Sequence, residues 1–297
     1  MKRSILITIA LVLLITAVAE ARDVLVVQGL RVKPFDDAFR GFRETCAADM
    51  TRVYLSDYPD LDLTGVVRVE SPRLILAIGA DALARVRMFR DIPIVYLMVL
   101  NPATFLQGND RITGIDMNIP PEKYLDLLTS MEPQPKTIGI VYDRTTSGAM
   151  VKRVKQAAES EGIKVKTVAV SRANDVPEAV SSLKGKIDTL LMLPDSTVVT
   201  PETVEAFLLF SQDNNVPLIA FAAKYVAMGA LASLDIDSVD QGRQAGEMAR
   251  LILKGTHIAK ISRAEARLTH LRINRSVAKK LGITFEGDDR RISVTSP

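Results

Sequence analysis

The feature that most constrains the fold is a strand–loop–helix–strand unit in the middle of the chain. An apolar run from Lys136 to Asp143 predicts a buried strand, and a polar loop continues from it to Gly148. Apolar residues then recur at helical spacing, which predicts an amphipathic helix ended by Gly162. A further strand begins at Lys164. Such a βαβ step is typical of a doubly wound parallel sheet, in which ligands bind at the carboxyl ends of the strands.

The loop inside this unit carries the first candidate ligand-binding residues. Asp143 ends the strand, and the hydroxyl residues Thr145, Thr146 and Ser147 precede the helix. Hydroxyl residues in this position commonly cap the first turn of a helix. The sequence leaves two interpretations open, which are capping alone and capping combined with contact to a ligand.

Residues 1–21 have the pattern of a secretory signal peptide. Lys2 and Arg3 precede an apolar run, and Ala19-Glu20-Ala21 forms a small-residue cleavage site. The run is shorter than the roughly 20 residues of a membrane span, so we expect cleavage rather than a permanent signal anchor. No cysteine stands at the cleavage point, which argues against a lipoprotein. We therefore expect the mature chain to begin near Arg22 and to reside in the periplasm.

Composition and missing motifs disfavour several classes of function. The formal net charge of +3 over 297 residues is too small to indicate nucleic-acid binding. The single cysteine, Cys46, continues the apolar face of a predicted helix, which predicts a buried thiol. Neither glycine-rich phosphate loop occurs, and His257 and His270 lack the spacing of metal ligands. With no GxSxG elbow either, we expect a protein without cofactor, metal or catalytic activity.

The rest of the chain is predicted to form two successive α/β units separated near Pro120 and Pro121. The predicted strands are 23–28, 52–55, 74–79, 93–99, 136–143, 164–170, 189–193, 217–221 and 230–236. One predicted helix begins at Pro34. The other predicted helices span 61–70, 80–89, 122–131, 175–184, 201–214 and 239–254. Thr200 is expected to cap the helix at 201–214.

Residues at the ends of predicted strands in both units form the candidate binding site. Those of the first unit are Gln28, Gly79, Ala80, Asp81 and Asn101. Those of the second unit are Asp143, Thr145, Thr146, Ser147, Asp195, Ser196, Phe221 and Asp235. Each of them can also be explained as a cap or a turn, although this explains Asp195 less well, because it follows a wholly apolar strand. Their convergence on one cleft would favour a small polar or zwitterionic molecule, because helix N-termini bind carboxylates and carboxylates bind ammonium groups.

Several segments of the chain resemble the substrate-binding proteins of ABC transporters, in particular the family that includes tryptophan- and tyrosine-binding members. They are ITGID at 112–116, KTIGIVYD at 136–143, LMLPDSTVVTPE at 191–202, VPLIAF at 216–221, YVAMGALASLDID at 225–237, GRQAGEMARLILKG at 242–255, LRIN at 271–274 and AKKLGI at 278–283. The resemblance implies an α/β fold of the type I periplasmic-binding-protein class, with two doubly wound parallel-sheet lobes joined by a three-crossing hinge.

The resemblance also implies a division of the chain and a set of partners. Lobe 1 would comprise residues 22–116 plus 238–266, and lobe 2 would comprise 117–237 plus 267–297. The protein would bind a small molecule without catalysis and deliver it to an ABC permease in the inner membrane. We expect a monomer.

Two departures from the family pattern bear on the ligand. Ala80-Asp81 stands where the family often has Thr-Pro, and Asn101 stands where it often has aspartate. Asp81 would bring negative charge to a helix start that otherwise suits a ligand carboxylate, and Asn101 lacks a charge to hold an ammonium group. These changes disfavour an aromatic amino acid, unless Asp81 points away from the cleft. Asp195 and Ser147, in contrast, match residues of the family.

Two alternatives come from other functional classes. One is a periplasmic sensor component that presents its ligand to a membrane receptor. The other is an α/β enzyme with an unrecognised site, in which Asp143 or Asp195 would be essential.

Overall fold

The computed structural model describes residues 23–286 of the chain. The predicted signal peptide at 1–21 lies outside this range. Within it, each helix is too short or too polar to cross a lipid bilayer.

The first part of the described chain alternates strands and helices. The strands are β1 (Val24–Gln28), β2 (Met50–Tyr54), β3 (Leu74–Ile78), β4 (Ile94–Val99) and β5 (Ile112–Asp116). The helices are α1 (Lys33–Thr45), α2 (Leu63–Glu70), α3 (Ala80–Val86) and α4 (Ala103–Leu106). The short helix α4 was not predicted from the sequence.

The second part begins after Pro120 with a helix and continues in the same alternating way. Its strands are β6 (Met131–Glu132), β7 (Thr137–Asp143), β8 (Lys164–Val170), β9 (Thr189–Leu191), β10 (Leu218–Ala220), β11 (Ala232–Ile236), β12 (Ala264–Glu265), β13 (Thr269–Ile273) and β14 (Thr284–Phe285). Its α-helices are α5 (Pro121–Thr129), α6 (Gly148–Ser160), α7 (Val176–Ser181), α8 (Val204–Asn214), α9 (Ala223–Ala227), α10 (Ser238–Leu253) and α11 (Arg275–Leu281). Short 3₁₀ turns occur at Ala173–Asp175 and Ile258–Lys260.

Twelve of these strands form two six-stranded sheets, which confirms the predicted fold class, and β6 pairs with β14 in a separate two-stranded sheet. The first has the order β12-β5-β4-β3-β1-β2 and is parallel throughout. The second has the order β13-β11-β10-β9-β7-β8, with only the edge strand β13 antiparallel. We call the first sheet with α1–α4 and α10 lobe 1, and the second sheet with α5–α9 and α11 lobe 2.

Continuous apolar runs explain why the central strands are buried on both faces. In β1, Val24 and Val26 pack towards α1 and α10. Leu25 and Val27 pack towards α2 and α3 on the other face. The thiol of Cys46 is buried at the end of α1, and burial raises its pKa to about 11.

Close packing between α1 and α10 joins the late helix to the first sheet. A Cβ atom on Gly242 of α10 would lie 1.9 Å from the carbonyl oxygen of Ala38, and one on Gly41 of α1 would lie 1.8 Å from that of Val239. Only glycine permits this approach of two helix backbones. Lobe 1 is therefore assembled from two distant segments of the chain.

Three connections join the lobes, and all of them lie at the carboxyl edges of the parallel strands. They are residues 117–120 after β5, Asp237 after β11, and residues 266–268 after β12. Because β13 runs antiparallel, it also starts at the carboxyl edge of its sheet. The two carboxyl edges therefore meet at the connections, and we call the space between them the interlobe gap.

One predicted helix start is wrong by a turn. The helix expected at 201–214 begins at Val204, and Thr200 does not cap it. Instead, the Thr203 hydroxyl donates a hydrogen bond of 2.6 Å to the carbonyl of Val198 and accepts one from the backbone N–H of Thr200. These bonds hold residues 198–203 in turns before the helix can start.

Candidate functional site

In lobe 2, the candidate site is organised around a buried carboxylate. Asp195 is 2% exposed and follows β9. Its two oxygens accept five hydrogen bonds from the same lobe: from the backbone N–H groups of Asp143 (2.8 Å), Thr197 (2.9 Å) and Val198 (3.2 Å), and from the hydroxyls of Thr146 (2.9 Å) and Ser147 (2.5 Å). This carboxylate ties the loop after β7 to the loop after β9. These five hydrogen bonds already occupy the carboxylate oxygens of Asp195. A direct contact between Asp195 and a ligand stays a prediction.

The hydroxyls of Thr146 and Ser147 therefore donate to Asp195 and do not cap α6. Ser147 occupies the N-cap position, but its side chain accepts no hydrogen bond from the first turn. The hydroxyls of Thr146 and Ser147 point their protons at the carboxylate instead. Both interpretations left open by the sequence included capping, and that part is wrong, because no side chain caps α6. Contact of these residues with a ligand stays a prediction.

Asp143 closes a tight turn at the end of β7. One of its carboxylate oxygens accepts bonds from the Thr145 hydroxyl (2.6 Å) and the Thr145 backbone N–H (2.7 Å). These two bonds, the hydroxyl first, hold the pKa of Asp143 below its usual range. The side chains of Thr145 and Ser196 are exposed beside this buried network. Both lie at the carboxyl edge of lobe 2.

Phe221 and Asp235 lie at the ends of β10 and β11. The ring of Phe221 is half-buried and packs edge-on against Tyr225, with 5.2 Å between centroids. Asp235 accepts a hydrogen bond of 2.9 Å from Arg272 of β13. It lines a pocket of about 460 Å³ together with α1 residues such as Arg40. Asp235 is therefore already hydrogen-bonded to Arg272 within lobe 2, next to the connections between the lobes.

In lobe 1, Gln28 is fully buried and its amide is used within the lobe. Its nitrogen donates to the carbonyl of Leu30 at 2.6 Å and to Asp36 at 3.3 Å, and its oxygen accepts from Arg52 at 3.1 Å. Gln28 thereby fixes the loop after β1 relative to α1 and β2. The structure places it under the carboxyl edge of lobe 1.

The turn from β3 into α3 is set by backbone conformation. Gly79 has φ +95°, and a Cβ atom there would lie 2.6 Å from the ring of Phe35. The following residues, Ala80 and Asp81, are exposed. The Cβ of Asp81 would lie 3.7 Å from a Cβ built on Gly29, so Asp81 stands beside the loop after β1.

The end of β4 and the loop after it have an unusual backbone. Met98 and Asn101 have φ values of +57° and +49°, in the left-handed region that residues other than glycine rarely adopt. The pairing of β4 with β5 shifts register between Tyr96 and Val99. Asn101 is half-buried after this irregular stretch. Such strain persists only where the surrounding structure enforces it, and it occurs often at binding sites.

Sequence reasoning missed a stack of arginine and aromatic side chains at the same edge of lobe 1. The guanidinium group of Arg31 lies 3.5 Å from the ring centroid of Tyr54, and that of Arg52 lies 4.6 Å from it. Arg52 also lies 4.1 Å from the ring centroid of Phe39. The alternation Arg52-Val53-Tyr54 in β2 was the available signal, but the stack also depends on the conformation of the loop carrying Arg31.

At the connections, charged side chains link the lobes. Arg153 of α6 forms an ion pair with Glu265 of β12, whose second contact is 3.1 Å long. Asp116, opposite Glu265 in the sheet, accepts a hydrogen bond from the hydroxyl of Tyr96. Burial raises the pKa of Asp116 above its usual value, although the hydroxyl of Tyr96 and the charge of Arg263 act in the opposite direction.

Comparison with known proteins gives a consistent result. A family model described as "ABC transporter substrate binding protein" matches residues 63–293. A tyrosine-binding protein of Clostridioides difficile strain R20291 is 29% identical over 217 residues, which cover 70% of this chain and 62% of the relative. The match thus spans less than two thirds of that relative's length.

Two solved structures share the fold over almost their whole length. One is a ligand-free, open substrate-binding protein with adhesive properties from Clostridium difficile, at 25% identity and a TM-score of 0.72, covering 93% of this chain and 99% of that one. The other is an ABC domain in complex with L-Trp from Streptococcus pneumoniae, at 23% identity and a TM-score of 0.65, covering 91% and 99%.

Proposed function

Since the chain belongs to the ABC transporter substrate-binding protein family, we propose that it binds one small polar molecule in the interlobe gap and delivers it to an ABC permease. The proteins of this family are not catalysts, and they act outside the cytoplasm. For this chain, we place the site of action in the periplasm, reached through cleavage of residues 1–21.

The observation that carries this proposal is the position of the three connections. All of them lie at the carboxyl edges of the two parallel sheets, so loops from both lobes border one gap. A hinge at these connections would let the lobes close on a molecule that contacts both edges. Closure would be favoured by contacts that only the closed state makes.

Within the gap, we assign the candidate residues two kinds of role. Asp81, Asn101 and Ser196 would contact the ligand, because they are exposed or half-buried and their side chains make no hydrogen bond within the described residues. Thr145 would contact it as well, because its side chain is exposed even though its hydroxyl donates to Asp143. Gln28, Asp143 and Asp195 would position these loops through the hydrogen bonds described above. Phe221 would add an apolar contact.

An amino acid or a related compound is the ligand class that we propose. The relative from C. difficile is named for tyrosine, and the structure from S. pneumoniae holds L-Trp. In this chain, the exposed carboxylate of Asp81 could hold an ammonium group at the edge of lobe 1, and the hydroxyls of lobe 2 could donate hydrogen bonds to a carboxylate. This places the charges of the ligand in a defined orientation across the gap.

A thermal-shift screen of the chain from Arg22 onwards tests the proposal. The library contains aromatic and other amino acids, nucleosides, sugars and organic acids. A ligand at 100 times its Kd stabilises the native state by about 2.7 kcal/mol, which is easily measured. We expect at least one amino-acid-like compound to raise the Tm, and Asp81→Asn to weaken its binding while the exposed control Asp126→Asn does not. A library without any stabilising compound would contradict the proposal.

A further inference from the structure

A second, strongly basic pocket lies in lobe 1, away from the interlobe gap. It has a volume of about 540 Å³ and opens between α2, the end of α3 and the turn before β5. Helices α2 and α3 pack on the face of the first sheet opposite α1 and α10. Arg85, Arg87 and Arg90 line the pocket, and Asp62 is the single carboxylate among its lining residues.

The three arginines of this pocket have no ion pair within residues 23–286. Many other arginines do, as Arg267 does with Asp240 at 2.8 Å. Arg85 instead donates to the carbonyl oxygens of Pro59 (2.9 Å) and Leu61 (2.5 Å), and Arg87 donates to that of Thr104 (3.3 Å). Among residues 23–286, Arg90 has neither an ion pair nor a hydrogen bond from its side chain. A carbonyl oxygen orients a guanidinium group without cancelling its charge.

The nearby carboxylates do not neutralise this charge. Asp62 is the N-cap of α2, and its side chain accepts a hydrogen bond of 3.0 Å from the backbone N–H of Thr64. Asp91 and Asp110 belong to adjacent turns and do not line the pocket. Three arginines therefore line one concave surface together with a single, engaged carboxylate.

We propose that this pocket binds a small multivalent oxyanion of the phosphate type, independently of the ligand in the gap. The planar guanidinium fork matches two oxygens of a phosphate group, and Arg85 is already held in place by its two carbonyl partners. Such a group could come from a free polyphosphate or from the headgroup of an anionic lipid. Both sources present the same chemistry to the pocket.

Two binding arms distinguish the sources. Inorganic pyrophosphate is titrated into the chain from Arg22 onwards by calorimetry, and vesicles of phosphatidylglycerol or phosphatidylcholine are tested by co-sedimentation. The test variant is Arg87→Gln combined with Arg90→Gln, which spares Arg85 because that residue holds the loop at 59–61. The control is Arg275→Gln, an exposed arginine on α11 without an ion pair in the described chain.

We expect binding in at least one arm, weakened about tenfold or more by the double variant and less than twofold by the control. Pyrophosphate binding would identify a soluble anion, and binding only to phosphatidylglycerol vesicles would identify a lipid headgroup. Equal binding by the double variant and the parent would overturn the proposal, and so would the absence of binding in both arms. Circular dichroism spectra confirm that each variant is folded before it is titrated.

Discussion

The two edges that border the interlobe gap are built in different ways. In lobe 2, five hydrogen bonds to Asp195 lock the loops after β7 and β9. In lobe 1, the loops after β1 and β2 are joined by an exposed ion pair between Arg31 and Asp57, and no buried carboxylate with five donors occurs at the described strand ends. The turn at Gly79 and the segment from Met98 to Asn101 owe their shape to left-handed backbone conformations.

This difference bears on how the two halves would recognise a ligand. A loop held by several side-chain bonds keeps its exposed groups in place, so Thr145 and Ser196 sit on a preorganised surface. A loop held by backbone strain can shift between conformations when its packing changes. We therefore expect lobe 2 to supply the rigid half of the site and lobe 1 to supply the half that adapts.

The largest expected effect comes from removing the centre of the rigid half. Asp195→Ala would leave five donors without their acceptor in a buried position, and we expect a loss of roughly 3–5 kcal/mol in the free energy of unfolding. Urea denaturation of the parent and the variant measures it. The neighbouring exposed residue provides the control, because Ser196→Ala should change stability by less than about 0.5 kcal/mol. A loss below about 1 kcal/mol for Asp195→Ala would show that the network does not hold lobe 2 together.

A smaller loss is expected from the backbone of lobe 1. Gly79→Ala would place a methyl group at a positive φ and against the ring of Phe35, and we expect a cost of about 2–3 kcal/mol. Gly162→Ala is the matched control, because Gly162 also has a positive φ, +70°, but open space around it. Its cost should be only about 1 kcal/mol. Equal losses for the two variants, measured by urea denaturation, would show that contact with Phe35 contributes nothing.

A pH-dependent effect would sharpen the comparison at the connections. Burial raises the pKa of Asp116, so this carboxyl group contributes stability below its unfolded pKa of about 3.9, and that contribution is lost as the pH rises through the folded value. Asp116→Asn keeps an acceptor for the hydroxyl of Tyr96 and removes the ionisation. The difference in free energy of unfolding between the variant and the parent should therefore favour the variant more at pH 7 than at pH 4. The exposed control Asp126→Asn should lack this dependence when unfolding is measured at both values.

Much of the fold could be predicted because its strands are continuous apolar runs and its helices have clear periodicity. The strand ends then follow from topology, since parallel strands bring their carboxyl ends to one edge. Gln28, Asp143 and Asp195 were found in this way. The short helices α4 and α9 were missed, because four or five residues are too few to show a helical period.

The internal role of the site residues could not be predicted. Whether Asp195 faces a ligand or its own lobe depends on the distance in space between its loop and the loop of Ser147. These two residues are 48 positions apart in the sequence. The stacking of Arg31 on Tyr54 likewise depends on the fold of the loop after β1. Local patterns carry no information on such distances, so they identified the residues and left their partners undetermined.

The smallest expected effect concerns the ion pair between the two lobes. Arg153 and Glu265 are 44% and 27% exposed, so a double-mutant cycle with Arg153→Gln and Glu265→Gln should give a coupling energy of only about 0.5–1 kcal/mol. Because the pair spans the gap, its loss should nevertheless broaden the interlobe distance distribution. Spin labels at Val69→Cys and Lys184→Cys can report this distance by electron resonance, since the buried Cys46 would stay unlabelled. Arg172→Gln, which breaks a pair with Asp175 inside lobe 2, is the control. Equal distributions for Arg153→Gln and Arg172→Gln would mean that the rigid half and the adaptable half are positioned by the backbone connections alone.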